Sequence, residues 1–348
     1  MVSNFEFLKK DFPVLANFGE LAEKYCYSDS NSCLMKLGMI GETIVNLMFT
    51  YDRIVFPQDN TAVARIDTLV REGLLTRDLA TILHGLRKVR NKAVHENYSS
   101  VTDSKNFLPM AYGLCEWFMQ TYGDLGYTHK DFVMPEKSTM VVPIDKIAEE
   151  RKEAELAKQA EENAANAPKV AQEERKKQAY KVANQRYKTE AETRYLVDEQ
   201  LRMVGWEADT ENIRYSKGVR PTKGRKLAIA EYPTNSTVGN RGYADYALFI
   251  GEKLVGIIEA KAIHKDIPSV IDYQGKDYPK CIREEDEKYV IGKWGEYKVP
   301  FTFATNGRPY LEQYKTKSGI WFLDLRKPDN SPMALHGWMS PDGMEELL

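Results

Sequence analysis

The sequence predicts a multidomain protein: an all-α N-terminal bundle, a charged helical linker, and an α/β core whose central mixed sheet is flanked by helices. Three observations predict it. Apolar residues recur at helical spacing through the first third of the chain. A stretch of about 50 residues near the middle holds almost no large apolar side chains, and from about residue 188 short apolar runs bounded by glycine replace the helical pattern. At 348 residues there is length for two or three buried cores.

Composition narrows the function classes. Lys and Arg number 49 and Asp and Glu 51, a formal net charge of -2. A uniformly basic nucleic-acid coat and an acidic disordered tail are therefore excluded, and a charged partner must meet a local patch. With 43% hydrophobic and 11% aromatic residues and a mean hydropathy of -0.51, the chain reads as globular and soluble. Cys26, Cys33, Cys115 and Cys281 form no C-x-x-C pair and stand at no zinc-finger spacing with the five histidines. The N-terminus MVSNFEFLKKDF lacks an apolar signal core, and no apolar run reaches 18 residues. The reading is a reduced, cytoplasmic protein with no membrane partner.

Residues 1–135 are expected to form a small bundle of four or five helices. One stripe runs through Leu34, Leu37, Ile40, Ile44, Leu47 and Met48, another through Leu79, Ile82, Leu83, Leu86 and Val89, and a third lies between Pro109 and Tyr122. Residues 136–187 are expected to be a helix-forming, solvated linker. From Asp145 to Arg194 there are 11 acidic and 12 basic residues in 50, acidic excess preceding basic excess, and Pro168 opposes a continuous coiled coil.

The third region, 188–330, opens with a helix from Thr189 to about Val204, closed by Gly205. A loop-rich basic segment follows, and then strand-like runs at Asp245–Ile250, Leu254–Ala262, Thr302–Ala304 and Ile320–Leu323. Residues 331–348 offer no clear closing element, as if leading toward a further region.

The chemistry concentrates in Gly242–Lys261. Two apolar strands flank Gly251-Glu252-Lys253, which suggests a β-hairpin buried on both faces, and Asp245, Glu259 and Lys261 then need a reason to be inside it. If the loop holds three residues, Ile250 pairs with Leu254, Asp245 falls opposite Glu259, and the three charges share a face; a two-residue loop puts the carboxylates on opposite faces. Adjacent buried carboxylates repel, and a hard cation resolves the conflict. Mg²⁺ takes one or two carboxylates together with phosphate oxygens, and a nearby lysine can orient or deprotonate a water, which suits phosphodiester hydrolysis. The plainer alternative is a strand charge beside an edge-strand Glu/Lys pair that blunts aggregation.

Asp followed 14 residues later by Glu-x-Lys on a hairpin resembles the PD-(D/E)xK nuclease core. Its neighbours sharpen the likeness: Glu190 in the amphipathic helix beginning Thr189-Glu-Ala-Glu-Thr-Arg, Gln274-Gly-Lys-Asp-Tyr278 as a Q-x-x-x-Y motif, and Phe303-Ala-Thr-Asn-Gly307 as a strand and turn. Over residues 188 to about 325 the joint pattern is similar to the nuclease domain of the restriction (motor) subunit of type I restriction enzymes. That resemblance implies Asp245 and Glu259 as metal ligands with the Ala260 carbonyl, Lys261 as the catalytic lysine, and Glu190 facing the site from the helix, with Glu192 as the alternative. It implies Gln274 and Tyr278 as DNA contacts and Mg²⁺ as cofactor. It also implies double-stranded DNA as substrate, with methyltransferase and specificity subunits as partners that modify and read the site. In that family ATP drives a motor region. No G-x-x-x-x-G-K-[ST] occurs in this sequence, so ATP use belongs to a region it lacks, and the chain is expected to be the N-terminal part of a longer subunit.

Between Glu211 and Glu231 stand Arg214, Lys217, Arg220, Lys223, Arg225 and Lys226 with no acidic residue. Of these, Arg220, Lys223, Arg225 and Lys226 are the expected phosphate contacts beside the active site, against the alternative of a merely solvated loop. In the first region Arg90-Asn-Lys-Ala-Val-His95 resembles the R-x4-H signature of HEPN bundles, some of which are ribonucleases. Residues five apart on a straight helix diverge by about 140°, so convergence of the two needs a bend or a dimer. Two functions follow: a metal-dependent DNA endonuclease, or a docking module whose nuclease core is inactive alone.

Overall fold

Asp29, Thr61 and Ser100 each accept a hydrogen bond from the backbone N–H three residues on, and each opens a helix. A side-chain acceptor there satisfies one of the first-turn donors that a helix leaves orphaned. The computed structural model describes residues 2–137, 146–186, 190–236, 242–261, 275–306 and 319–348, with residues 267 and 271. The chain forms two units, Met1–Tyr187 and Lys188–Leu348.

In the first unit a 3-10 turn at Asn4–Leu8 precedes α1 (Pro13–Tyr25), α2 (Ser30–Asp52), α3 (Ala62–Arg71), α4 (Arg77–His95), α5 (Val101–Tyr122), α6 (Lys146–Asn166) and α7 (Gln172–Gln185). The three apolar stripes expected from the sequence lie on α2, α4 and α5 and are buried. Although α2 is long and apolar enough to cross a membrane by length and composition, its apolar residues line the bundle core. Gly38 lets α4 approach α2 closely, since a β-carbon there would lie 2.3 Å from Arg90 Cβ.

The segment expected to be a solvated linker is instead part of the bundle. Lys36 pairs with Glu149 at 2.8 Å and with Glu153, both on α6. On α7, Arg175 pairs with Asp52 at 3.3 Å and lies 4.3 Å from the centroid of the Tyr122 ring, while Trp117 Nε1 donates to the Ala179 carbonyl at 3.1 Å. Ala160, Ala164, Ala179, Val182 and Ala183 are buried. The sequence conceals this because the packing residues are small and the charges find partners more than 100 positions away.

In the second unit α8 (Glu190–Met203) precedes a sheet of seven strands among the described residues: β1 (Glu207–Ala208), β2 (Lys226–Pro233), β3 (Tyr243–Ile250), β4 (Lys253–Ala260), β5 (Phe301–Thr305), β6 (Ile320–Asp324) and β7 (Met333–Ala334). They lie side by side in chain order. The β1–β2 and β4–β5 pairs are parallel and the others antiparallel, so the sheet is mixed as expected. One face packs Tyr246, Leu248, Ile258 and Phe303 against Val197 and Leu201 of α8. The other packs Phe249, Ile257 and Tyr232 against Tyr278, Ile282 and Tyr289. Burial on both faces explains why the strands read as continuous apolar runs.

Two expectations change here. Strand β2, next to the edge strand β1, occupies the end of what read as a basic loop; its signal is the run Leu227-Ala-Ile-Ala. Residues 331–348, which offered no clear element in the sequence, pack on this unit: β7 pairs with β6, and Trp338 and Met344, the latter on α9 (Pro341–Leu347), are buried in the first core.

Candidate active site

The β3–β4 turn holds two residues, Gly251 and Glu252, because Ile250 pairs with Lys253 and Phe249 with Leu254. The expected three-residue loop does not form; a two-residue turn with glycine at positive φ matches the twist of the flanking strands, and Gly251 has φ 61°. Carried down the ladder unbroken, that register would separate the carboxylates. It breaks between Leu248 and Phe249: Leu248 pairs with Gly256, Ala247 with Ile257 and Tyr246 with Ile258, leaving Val255 as the extra residue of a β-bulge. The next pair in the shifted register is Asp245 opposite Glu259. The bulge supplies the one-residue offset that the sequence reading had assigned to the loop.

Both carboxylates are buried, Glu259 at 0% and Asp245 at 7% exposure. Asp245 Oδ2 accepts the Ala260 N–H at 2.7 Å, and Oδ1 lies 3.2 Å from Arg194 Nη2 on α8. Lys261 Nζ pairs with Glu259 Oε1. Glu259 Oε2 is buried with no hydrogen-bond partner among the described residues. Burial, and after it the adjoining Asp245 carboxylate, push the Glu259 carboxyl up to about 8 against the opposing pull of Lys261. Lys261 continues the edge of β4, its N–H donating to the Thr305 carbonyl at 2.7 Å.

Glu231 of β2, a residue the sequence reading passed over, belongs to the same constellation. The β2–β3 register sets it opposite Asp245, it lies 3.4 Å from Arg194 Nη1, and Arg214 pairs with it. Its φ of 47° marks a local break in the strand. A lone acid within the apolar run Leu227–Tyr232 is the signal that could have found it.

Other expected site residues fare differently. Glu190 opens α8 four positions before Arg194, hence on the Arg194 side of the helix, but its side chain lies outside the described residues; Glu192 is 1% exposed. Gln274 and Gly307 also lie outside the described residues, and Asn306 is buried. Tyr278 is fully buried among Ile229, Tyr232, Phe249 and Ile257, which leaves the ring no surface to offer DNA; it packs the core.

Arg214 of the basic segment meets Glu231, but the far end of the segment is not beside the carboxylates. Lys226 pairs with Ile250 and Gly251 N–H donates to the Arg225 carbonyl at 2.8 Å, so Arg225 and Lys226 stand at the turn end of the hairpin, about 17 Å along β3 from Asp245. Partners distant in sequence neutralise much of it: Arg225 binds Glu207 at 2.7 Å, Lys226 pairs with Asp342, and Lys223 lies 4.0 Å from Glu252. In the first unit, Arg90 lies 3.0 Å from Glu42 on α2, and α4 runs without a break to His95, which is exposed; the two do not converge.

Among the described residues no group of three or more His, Cys, Asp or Glu could cage a metal. The donor set is instead an open one: two adjoining carboxylates, one with an unused buried oxygen, and a lysine.

Comparison with known proteins bears on both units. Residues 207–348 match the family described as the second domain of the type I restriction enzyme EcoKI endonuclease subunit. Residues 20–151 match a domain of unknown function, DUF4145. The curated type I restriction enzyme EcoKI endonuclease subunit of Escherichia coli (strain K12) is 28% identical over an alignment of 423 positions that takes in 99% of this chain and 36% of that protein. No solved structure matches significantly. The chain thus spans about a third of the relative's length. Along essentially its whole length, the chain is similar to part of that endonuclease subunit, and its second unit to the family described as that subunit's second domain.

Proposed function

We propose that the Lys188–Leu348 unit is a Mg²⁺-dependent endonuclease that hydrolyses phosphodiester bonds of double-stranded DNA. It works within a type I restriction assembly whose specificity and methyltransferase subunits choose and modify the sequence. The observation that carries the reading is the pairing of Asp245 with Glu259, whose buried Oε2 has no hydrogen-bond partner among the described residues while its Oε1 meets Lys261. Leaving a buried carboxylate oxygen unsatisfied costs on the order of 1–3 kcal/mol or more, which a cation at that oxygen offsets.

Asp245 and Glu259 would hold the metal. Ala260 supports a third ligand: its N–H is directed at Asp245, and in extended backbone a residue's carbonyl leaves by the same edge. When bound, Mg²⁺ polarises the scissile phosphate. The Lys261 ammonium, held at Glu259, lies where it can orient an attacking water and stabilise charge building on the phosphate oxygens. Arg194 fixes the rotamer of Asp245 through Oδ1, and Glu231 holds Arg194 from its other side. Glu190 is assigned to the same site from α8, and Gln274 to the substrate.

The test is nicking of supercoiled plasmid with Mg²⁺ or Mn²⁺, by the chain alone or assembled with its partner subunits, compared with Lys261→Ala and Asp245→Asn. Nicking that needs metal and is lost in both variants supports the reading. Equal nicking by all three proteins, or none in any assembly, removes it.

A further inference from the structure

Of the described arginines in the second unit, Arg220 differs from the rest. Arg194, Arg202, Arg214, Arg225, Arg283 and Arg326 each lie within ion-pair distance of a carboxylate. Arg220 has no such partner among the described residues, yet it is held in place. Its guanidinium carbon lies 3.5 Å from the centroid of the Tyr215 ring, and Nη1 donates to the Tyr215 and Val219 carbonyls at 2.9 and 2.8 Å. An exposed arginine ordinarily gives up rotamer freedom on binding an anion; here the Tyr215 ring and two backbone carbonyls already hold the side chain.

Across a groove of about 490 Å³ stands a second arrangement of the same kind, Lys288 Nζ 5.0 Å from the centroid of the Tyr289 ring and likewise without an ion-pair partner among the described residues. The acids that share the groove are occupied or buried: Glu285 pairs with Arg283 and accepts from the Tyr215 hydroxyl at 3.3 Å, and Asp286 is 3% exposed beside Tyr232. Glu285 is balanced by Arg283, which leaves the two cations, each on a tyrosine face, as the charges of the groove with no ion-pair partner among the described residues.

Resting on the nuclease reading, we propose that this groove binds the phosphodiester backbone of DNA, with Arg220 and Lys288 clasping phosphates away from the cutting site. Of the six basic residues between Glu211 and Glu231, Arg220 then makes the principal backbone contact, since Arg225 and Lys226 pair with Glu207 and Asp342. Two cations converging on one strip fit a chain of phosphates, and Arg stacked on Tyr presents a flat face on which an unpaired base can also lie.

Fluorescence anisotropy with the full chain, in EDTA so that no cutting occurs, tests it on a labelled duplex and on the matching single strand. Arg220→Ala and Lys288→Ala are each expected to weaken binding about five- to tenfold and to lower the slope of log affinity against log salt by about one. Equal loss on both forms assigns the contact to the backbone alone, and greater loss on the single strand adds base stacking; either supports the groove. Wild-type affinity with an unchanged salt slope in both variants overturns it. Binding is read without metal, so failure of the groove leaves the nicking result standing, and loss of nicking leaves the groove standing.

Discussion

Asp245 Oδ2 accepts the N–H of Ala260 at 2.7 Å, which ties the first carboxylate of the site to the strand that carries the second. The bond lies just beyond the last ladder pair, Tyr246 with Ile258, and holds the two strands together where their regular pairing ends. Asp245 thus serves structure and chemistry at once, and substitutions can separate the two. Asp245→Asn keeps a carbonyl acceptor for Ala260 but lacks the charge, so it should lose metal-dependent nicking at least 100-fold with stability changed by less than about 1 kcal/mol. Asp245→Ala should lose nicking equally and destabilise by about 1–3 kcal/mol, because the Ala260 N–H and Arg194 both lose a partner. Urea unfolding and plasmid nicking read the two effects.

The raised Glu259 carboxyl sets a pH signature. Its folded value of about 8 lies above the unfolded one near 4.5, so its contribution to stability is present at low pH and is lost as pH rises through 8. Metal competes with that proton. The metal-free chain should lose thermal stability between about pH 4.5 and 8, and the rise in Tm on adding about 10 mM Mg²⁺ should grow over the same interval. Glu259→Gln should flatten both trends. Differential scanning fluorimetry across pH measures them together.

Asp198 offers an independent test of the α8–sheet contact. Burial pushes its carboxyl up to about 6 despite the Thr210 N–H at 2.8 Å and the Tyr246 hydroxyl at 3.0 Å. Folding is therefore favoured by this group below about pH 4, and that advantage is lost as pH rises through 6. Asp198→Asn, which can keep an acceptor for Thr210 and offer a donor to Tyr246, should stabilise the second unit by roughly 1–2 kcal/mol at pH 8 and by little at pH 4. Denaturation at the two pH values checks it.

Much of the second unit was legible before any coordinates. Strands β3 to β6 announce themselves as apolar runs because both faces of the sheet are covered, and Asp245, Glu259 and Lys261 stand out as charges that a buried hairpin does not otherwise tolerate. The bulge at Val255 was not legible: one extra valine in an apolar run has no distinctive residue type, so its offset was assigned to the loop. Strand β2 was hidden by the basic residues leading into it. The helices α6 and α7 misled for a different reason. A solvated charged helix and one docked through Lys36–Glu149 and Arg175–Asp52 have the same composition, and only the distant partners distinguish them.

That docking makes its own prediction. Arg175 and Asp52 are nearly inaccessible, the Arg175 side chain also donates to the Thr121 carbonyl, and Asp52 accepts from the Tyr122 hydroxyl. Arg175→Ala leaves Asp52 as an uncompensated buried charge and should cost the first unit about 3–5 kcal/mol. Replacing an arginine on a solvated linker would change stability by less than about 0.5 kcal/mol. Thermal unfolding of the full chain separates the two.

The most direct measurement of the central claim counts metal ions at the carboxylate pair. Free Mn²⁺ can be followed by electron paramagnetic resonance as the full chain is titrated in the presence of duplex DNA, for the wild type and for Glu259→Gln and Asp245→Asn. The account predicts a Mn²⁺ site in the wild type that weakens at least tenfold in each variant and tightens as pH rises toward 8.5. Mn²⁺ binding that is the same in all three proteins, or absent from the wild type at millimolar metal, would contradict it.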